Sequence, residues 1–291
     1  MFSAENFDTG ERCEYTVTGS LDESSSPGID CAVGSSYDWD ADGSDDGCRG
    51  LTDTIDPTVT VPAGTQLGDG VQIHKGATLG TGVVLHPGAV IGSRASIGNN
   101  NSIGSGTVVG RRAILGNNND IGEEGTISRA AELNDDIVLG SRTSIGYAAF
   151  LGSHITLGND SAIGALARIG GAAAAPGAIN CPGPLIMARG SAIAIDGSHA
   201  FTCAGSVVLG PESSIGSDST FGANIRIRKN TEIGSSTSVG NSARIGRDST
   251  IGDGVTVAAD ATVRANVNLC DAGVTVTGLI PRGTADGTCA P

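Results

Sequence analysis

The chain has 291 residues, 46 of them glycine, with 3% aromatic and 16% charged side chains and a formal net charge of −14 at pH 7. Nine aromatic residues in all argue against a conventional globular core of this size, which takes much of its buried area from Phe, Tyr and Trp. Ten prolines without a Gly-X-Y register exclude a collagen, and abundant Ile, Leu and Val exclude a disordered chain.

Residues 1–58 hold 14 Asp or Glu against Arg12 and Arg49, so −12 of the −14 belongs to this segment; the rest of the chain carries 15 basic and 17 acidic side chains. A broad basic surface is therefore not expected, and neither is a nucleic-acid partner. The N-terminus MFSAENFDTG has no basic stretch followed by an apolar one, so no signal peptide is expected. No apolar run reaches the roughly 18–20 residues of a membrane span. Within the segment, residues 38–46 read D-x-D-x-D-G-x-D-D, which resembles the first half of the calcium loops of EF-hand, dockerin and thrombospondin type 3 repeats. The resemblance implies calcium as a cofactor, with side-chain oxygens from Asp38, Asp40 and Asp42, a turn at Gly43, a carbonyl from Ser44 and a direct or water-mediated ligand in Asp46. The twelfth position is Arg49 rather than Glu, so the loop is incomplete as an EF-hand, and a solvated acidic turn is the competing reading.

From Val61 the chain repeats every six residues. Nineteen consecutive aliphatics run from Val61, Leu67 and Ile73 to Ile163 and Ile169, and 14 of the 19 are followed by Gly. A small or β-branched residue precedes most of them by two, as at Val71, Ala77, Val83 and Ala89. The phase breaks after Ile169 and resumes over 11 rungs from Leu209 to Leu269. A period of six fits neither a helix nor a hairpin array. It fits short strands that turn their aliphatic and small residues inward, with Gly relaxing the bend. Three such strands make an 18-residue triangular coil, and stacked coils pair as parallel strands about 4.8 Å apart. Some ten coils are expected.

The pattern aliphatic-Gly-x-x-small-x resembles the hexapeptide repeat of left-handed parallel β-helix proteins, and VVLHPGAVIG at 83–92 is similar to segments of UDP-acylglucosamine acyltransferases. The resemblance covers about 60–173 and 204–271. It implies an all-β, left-handed parallel β-helix, a triangular solenoid of about ten coils. For an enzyme of this family it also implies a trimer in which a His in an inter-subunit groove acts as general base. The expected organisation is an acidic, Cys-containing cap at 1–58, a first array at 59–173, an inserted loop at 174–206, a second array at 207–271 and a tail at 272–291. The intervals from His74 to His86 and from His86 to His154 are not multiples of the coil length, so these three are not expected to stack on one edge or converge on zinc. His199 falls in the inserted loop.

Asn99–Asn101 and Asn117–Asn119 recur one coil apart and are expected to form a ladder. Cys181 and Cys203 bracket the inserted loop, and Cys289 can fold back on Cys270; both pairs read as staples, which points to an oxidising compartment. Cys13, Cys31 and Cys48 leave one thiol free or bonded to another subunit. The sequence favours an extracellular or cell-surface structural protein, a rigid rod serving as spacer, appendage or filament subunit. It would self-associate end to end or as a homotrimer and carry no catalytic residues. The alternative is a trimeric hexapeptide-repeat acyltransferase acting on a sugar or nucleotide sugar through His86 or His154.

Overall fold

The computed structural model describes residues 2–5, 12–15, 29–31, 35–37, 47–50, 52–170, 179–193 and 201–286. Most repeats form a two-residue strand whose second residue is the buried aliphatic, as in Val84–Leu85, Val90–Ile91 and Ser96–Ile97. The next strand, Ser102–Ile103, lies on the first in parallel register, Val84 opposite Ser102 and Leu85 opposite Ile103. Each coil therefore has three strands, and the coils build three sheets. Face 1 has 14 strands, ending at Thr275–Val276; face 2 has 13, from Thr54–Ile55 to Leu279–Ile280; face 3 has 12, from Thr78–Leu79 to Ala285–Asp286. The result is a triangular parallel β-helix, about 55 Å long at the usual interstrand spacing.

Strands this short have no independent stability. They are held by stacking, in which each coil offers its aliphatics to a continuous core. Ile91, Ile103, Val109 and Ile145 are fully buried there, each worth about 2 kcal/mol in burial.

Three boundaries differ from the sequence reading. The segment 174–206 is not one inserted loop: Ile179–Cys181, Leu185–Met187, Ala192–Ile193 and Phe201–Cys203 continue the three faces. Only the two connections 171–178 and 194–200 exceed the regular turn. Ile155 pairs with Ile179, and Ile179 with Phe201, steps longer than the regular coil by six and by four. The first addition of six keeps the hexad phase, so Cys181, Met187 and Ile193 still fall in step with Ile169, and it is the second addition of four that shifts it. At the C-terminus, Thr275–Val276, Leu279–Ile280 and Ala285–Asp286 form a last coil in what reads as a tail. At the other end, Thr54–Ile55 already pairs with Gln72–Ile73, so the ladder begins before residue 59. Twelve layers result, rather than about ten.

The core also changes composition around the two long connections. The small inward position is filled by Ile155, Ile179, Phe201, Val207 and Ile225 in neighbouring coils. Phe201 packs on Phe221 with ring centroids 5.3 Å apart.

The turn geometry corrects one more expectation. The position in the left-handed region is the third after the aliphatic, where most of the non-glycine positive-φ side chains stand. Asn and Asp, which tolerate this region best, supply nearly half of them. The glycine directly after the aliphatic answers instead to the next coil, whose backbone passes too close for a side chain.

Candidate functional site

The three described histidines stand on three different edges. His74 follows Ile73 of face 2, His86 follows Leu85 of face 1, and His154 lies in the turn after Leu151 of face 3. They do not converge, as their spacing implies. Among the described residues no group of three or more His, Cys, Asp or Glu is placed to hold a metal ion. His86 is half-buried, with Nε2 3.4 Å from the Ser102 hydroxyl. Asp38, Asp40, Asp42, Ser44 and Asp46, the calcium-loop residues, lie outside the described residues, as does His199.

His154 has the richer surroundings, built by the turn itself. On the edge between faces 3 and 1, Asn100, Asn118, Asp136 and His154 occupy the same left-handed turn position in four successive coils, with φ of 55°, 56°, 58° and 58°. Coils of constant length superpose such residues, so their side chains meet. The Asn100 amide donates to Asn118 Oδ1 at 3.3 Å, and the Asn118 amide donates to Asp136 Oδ1 at 3.2 Å. Asp136 Oδ2 lies 3.4 Å from His154 Nε2, with both side chains a little under half exposed.

A second ladder runs beside it. The Asn99 backbone N–H donates to Asn117 Oδ1 at 2.8 Å, and that of Asn117 donates to Asp135 Oδ1 at 2.5 Å. Inside, the N–H of Asn119 donates to Asn101 Oδ1 and that of Ile137 to Asn119 Oδ1, each at 2.9 Å. The expected Asn ladder is therefore present as three columns. It satisfies backbone donors that the coil ladder leaves open, as buried polar groups require.

The same edge carries both long connections. Residues 171–178 join Arg168–Ile169 of face 3 to Ile179–Cys181 of face 1, and 194–200 make the same crossing one coil later. The Ile179 N–H donates to the His154 carbonyl at 3.2 Å, so His154 lies where the first of them rejoins the solenoid. The Asp136 carboxylate is thus held on one oxygen by the Asn118 amide and faces His154 Nε2 with the other. The sequence reading misses Asp136 and Asn118 as partners of His154. The signal is present in the spacing 118, 136, 154, one coil at each step.

Cys181 and Cys203 are disulfide-bonded across adjacent coils, with Cα atoms 4.8 Å apart. They are buried in the aliphatic column of face 1 at 0% and 3% exposure, not at the rim of a surface loop. Cys270 is also disulfide-bonded. The backbone of Cys13 lies opposite that of Cys31 in an antiparallel pair. No helix among the described residues is long and apolar enough to cross a membrane.

No protein-family model and no curated protein matches the chain. Solved structures do. A UDP-N-acetylglucosamine O-acyltransferase from Moraxella catarrhalis RH4 is 16% identical over 73% of this chain and 65% of its own, with a TM-score of 0.21. The UDP-N-acetylglucosamine acyltransferase of Francisella novicida is 15% identical over 74% and 66%, with a TM-score of 0.30. That of Arabidopsis is 13% identical over 79% and 73%, with a TM-score of 0.27. The chain thus spans just under two thirds of the first two proteins' length. At these identities and scores the likeness carries no argument about activity. The chain's own six-residue repeat and the three sheets built from it establish its fold, a triangular parallel β-helix on a hexapeptide repeat.

Proposed function

We propose that the chain transfers an acyl group from a thioester donor to a hydroxyl or amine of a sugar or nucleotide sugar, with His154 as general base. The observation that carries this reading is the contact between His154 and Asp136 at 3.4 Å, beside the end of the connection 171–178. In the step, His154 Nδ1 takes the acceptor's proton as the acceptor atom attacks the thioester carbonyl. The new C–O or C–N bond forms, the C–S bond breaks, and the proton passes to the departing thiolate. Asp136 orients the imidazole and stabilises its protonated form. The test is thiol release from acyl-CoA and acyl-carrier-protein donors by the full chain, with a panel of sugar and nucleotide-sugar acceptors. His154→Asn, which suits the left-handed turn, is expected to lower the rate by about 10²- to 10⁴-fold, while His86→Ala leaves it unchanged. Failure of every donor and acceptor pair to turn over, or a His154→Asn variant as active as the parent, would overturn the proposal.

A second reading is favoured by the unbroken run of 12 to 14 strands on each face: a rigid rod that acts as a spacer or filament subunit. Thiol release at background level together with polymers in electron micrographs would select it. The buried disulfide supports an extracellular or cell-surface location under either reading, since such bonds persist in oxidising compartments. Calcium held by Asp38, Asp40, Asp42, Ser44 and Asp46 belongs to the proposal as well. Calorimetric titration of the full chain should show a saturable heat that Asp40→Ala abolishes; equal heats would remove the site.

A further inference from the structure

The near-neutrality of the solenoid conceals a segregation of charge. Fifteen Lys and Arg side chains lie between positions 52 and 286. Eleven of them fall in the turns from face 2 to face 3, including Lys75, Arg94, Arg112, Arg129, Arg189 and Arg247. Arg226 and Arg244 on face 2 and Arg168 on face 3 flank the same edge, and only Arg142 lies elsewhere. These turns hold three acids, Asp56, Glu212 and Asp248, whereas the described turns of the other two edges hold eleven acids and one cation. Turn positions are chemically equivalent on all three edges, so coil geometry does not impose this bias. It leaves one edge cationic from the first coils to the last. Arg247 is ion-paired there, to Asp248 at 3.7 Å, and Arg129 stacks over Tyr147. Among the described residues, none of the other ten turn cations forms a salt bridge.

The counter-charge is in the chain itself, in residues 1–50, which hold 12 acids against Arg12 and Arg49; Asp53 and Asp56 already belong to turns of the solenoid, Asp56 to the cationic edge itself. The chain enters the solenoid through Ser35–Tyr37 and Gly47–Arg49, both in the sheet of face 1. In a triangular prism, face 1 is opposite the edge between faces 2 and 3. We propose that this edge docks the acidic N-terminal segment of a second copy. Because the two surfaces differ, the contact is heterologous. Each copy retains a free segment at one end and a free edge at the other, so association propagates. The edge is distinct from that of His154, and the inference does not depend on acyl transfer.

The test is sedimentation velocity of the full chain in EDTA, which strips any calcium from the acidic segment, at about 0.01 M and about 1 M salt, where the screening length falls from roughly 30 Å to 3 Å. Species larger than a dimer are expected at low salt and monomers at high salt. An edge variant (Arg94→Asn, Arg112→Asn, Arg129→Ser, Arg189→Asn) and a segment variant (Asp40→Asn, Asp42→Asn, Asp45→Asn, Asp46→Asn) should each be monomeric at low salt. Mixed together, they should form a one-to-one dimer and stop there, because one intact edge meets one intact segment. This recovery also shows that both variants are folded. A parent monomeric at low salt, assembly indifferent to salt, or variants that fail to complement would overturn the proposal.

Discussion

Gly104→Ala is expected to destabilise the solenoid by about 3 kcal/mol, the upper range for overpacking, whereas Gly106→Asn two residues away should change stability by less than about 0.5 kcal/mol. The two glycines share one turn between faces 1 and 2 and are there for opposite reasons. A Cβ on Gly104 would sit 2.5 Å from the Gly122 carbonyl carbon and 2.6 Å from its oxygen. Both are backbone atoms of the next coil, so no rotamer change relieves the contact. Relief requires separating two coils that are joined by the Gly104 N–H to Ile121 carbonyl bond at 2.7 Å. Gly106 has φ of +64° and open space where its Cβ would stand. Its equivalents one coil on each side are Gly88 and Glu124, with φ of 71° and 52°, so a side chain is already accepted at this position. Asn bears the left-handed conformation at small cost, and its reduced freedom in the unfolded chain offsets part of that. Denaturant unfolding followed by far-ultraviolet circular dichroism checks both variants. Equal midpoints would show that the glycine after the aliphatic is not held by inter-coil contact.

The hexad pattern makes the fold legible because inward positions in a coil of fixed length must recur in register. Leu67, Ile103, Ile145 and Ile251 can be assigned to the core by counting alone, and all are buried. Counting fails where the chain adds length to a turn, since periodicity carries no information once phase is lost. Cys181 and Met187 keep the phase of Ile169 and Cys203 that of Leu209, yet the missing rung at Ala175 and the four-residue shift after Ile193 leave these buried rung residues reading as a loop. The sense of the glycine is also misread, because sequence shows that Gly recurs but not whether a dihedral or a neighbouring coil demands it. The candidate site lies between these cases. His154 is visible as a residue, but its partner Asp136 becomes visible only when the sequence is wound one coil per layer. The cationic edge requires both the layer length and the correct assignment of turns to edges, so Arg94 and Arg247, far apart in the sequence, read as unrelated until they are placed on one line.

Replacing both Cys181 and Cys203 with Ala should cost about 3 kcal/mol in loop-closure terms for a sequence separation of 22. Ala is the suitable substitution, since Ser would bury an unpaired hydroxyl. The position of the bond determines how the loss is expressed. A solenoid is nearly one-dimensional, and its stability is the sum of coil terms and nearest-neighbour interfaces. The bond joins the coil of Ile179–Cys181 to that of Phe201–Cys203, across the connection 194–200, where the regular turn is interrupted. Weakening this interface should therefore uncouple the coils before it from those after it rather than destabilise all coils equally. The double variant is expected to unfold in urea in two resolved steps, while the parent unfolds with its disulfide intact in one broader transition at higher denaturant. Because both sulfurs are buried, dithiothreitol in native buffer should leave the parent bond unreduced over hours, and reduction should become rapid only near the first unfolding step of the variant. Thiol titration alongside circular dichroism reads both quantities. A variant curve that overlays the parent's would show that core contacts alone hold the two halves together, and that the bond between coils adds nothing to their coupling.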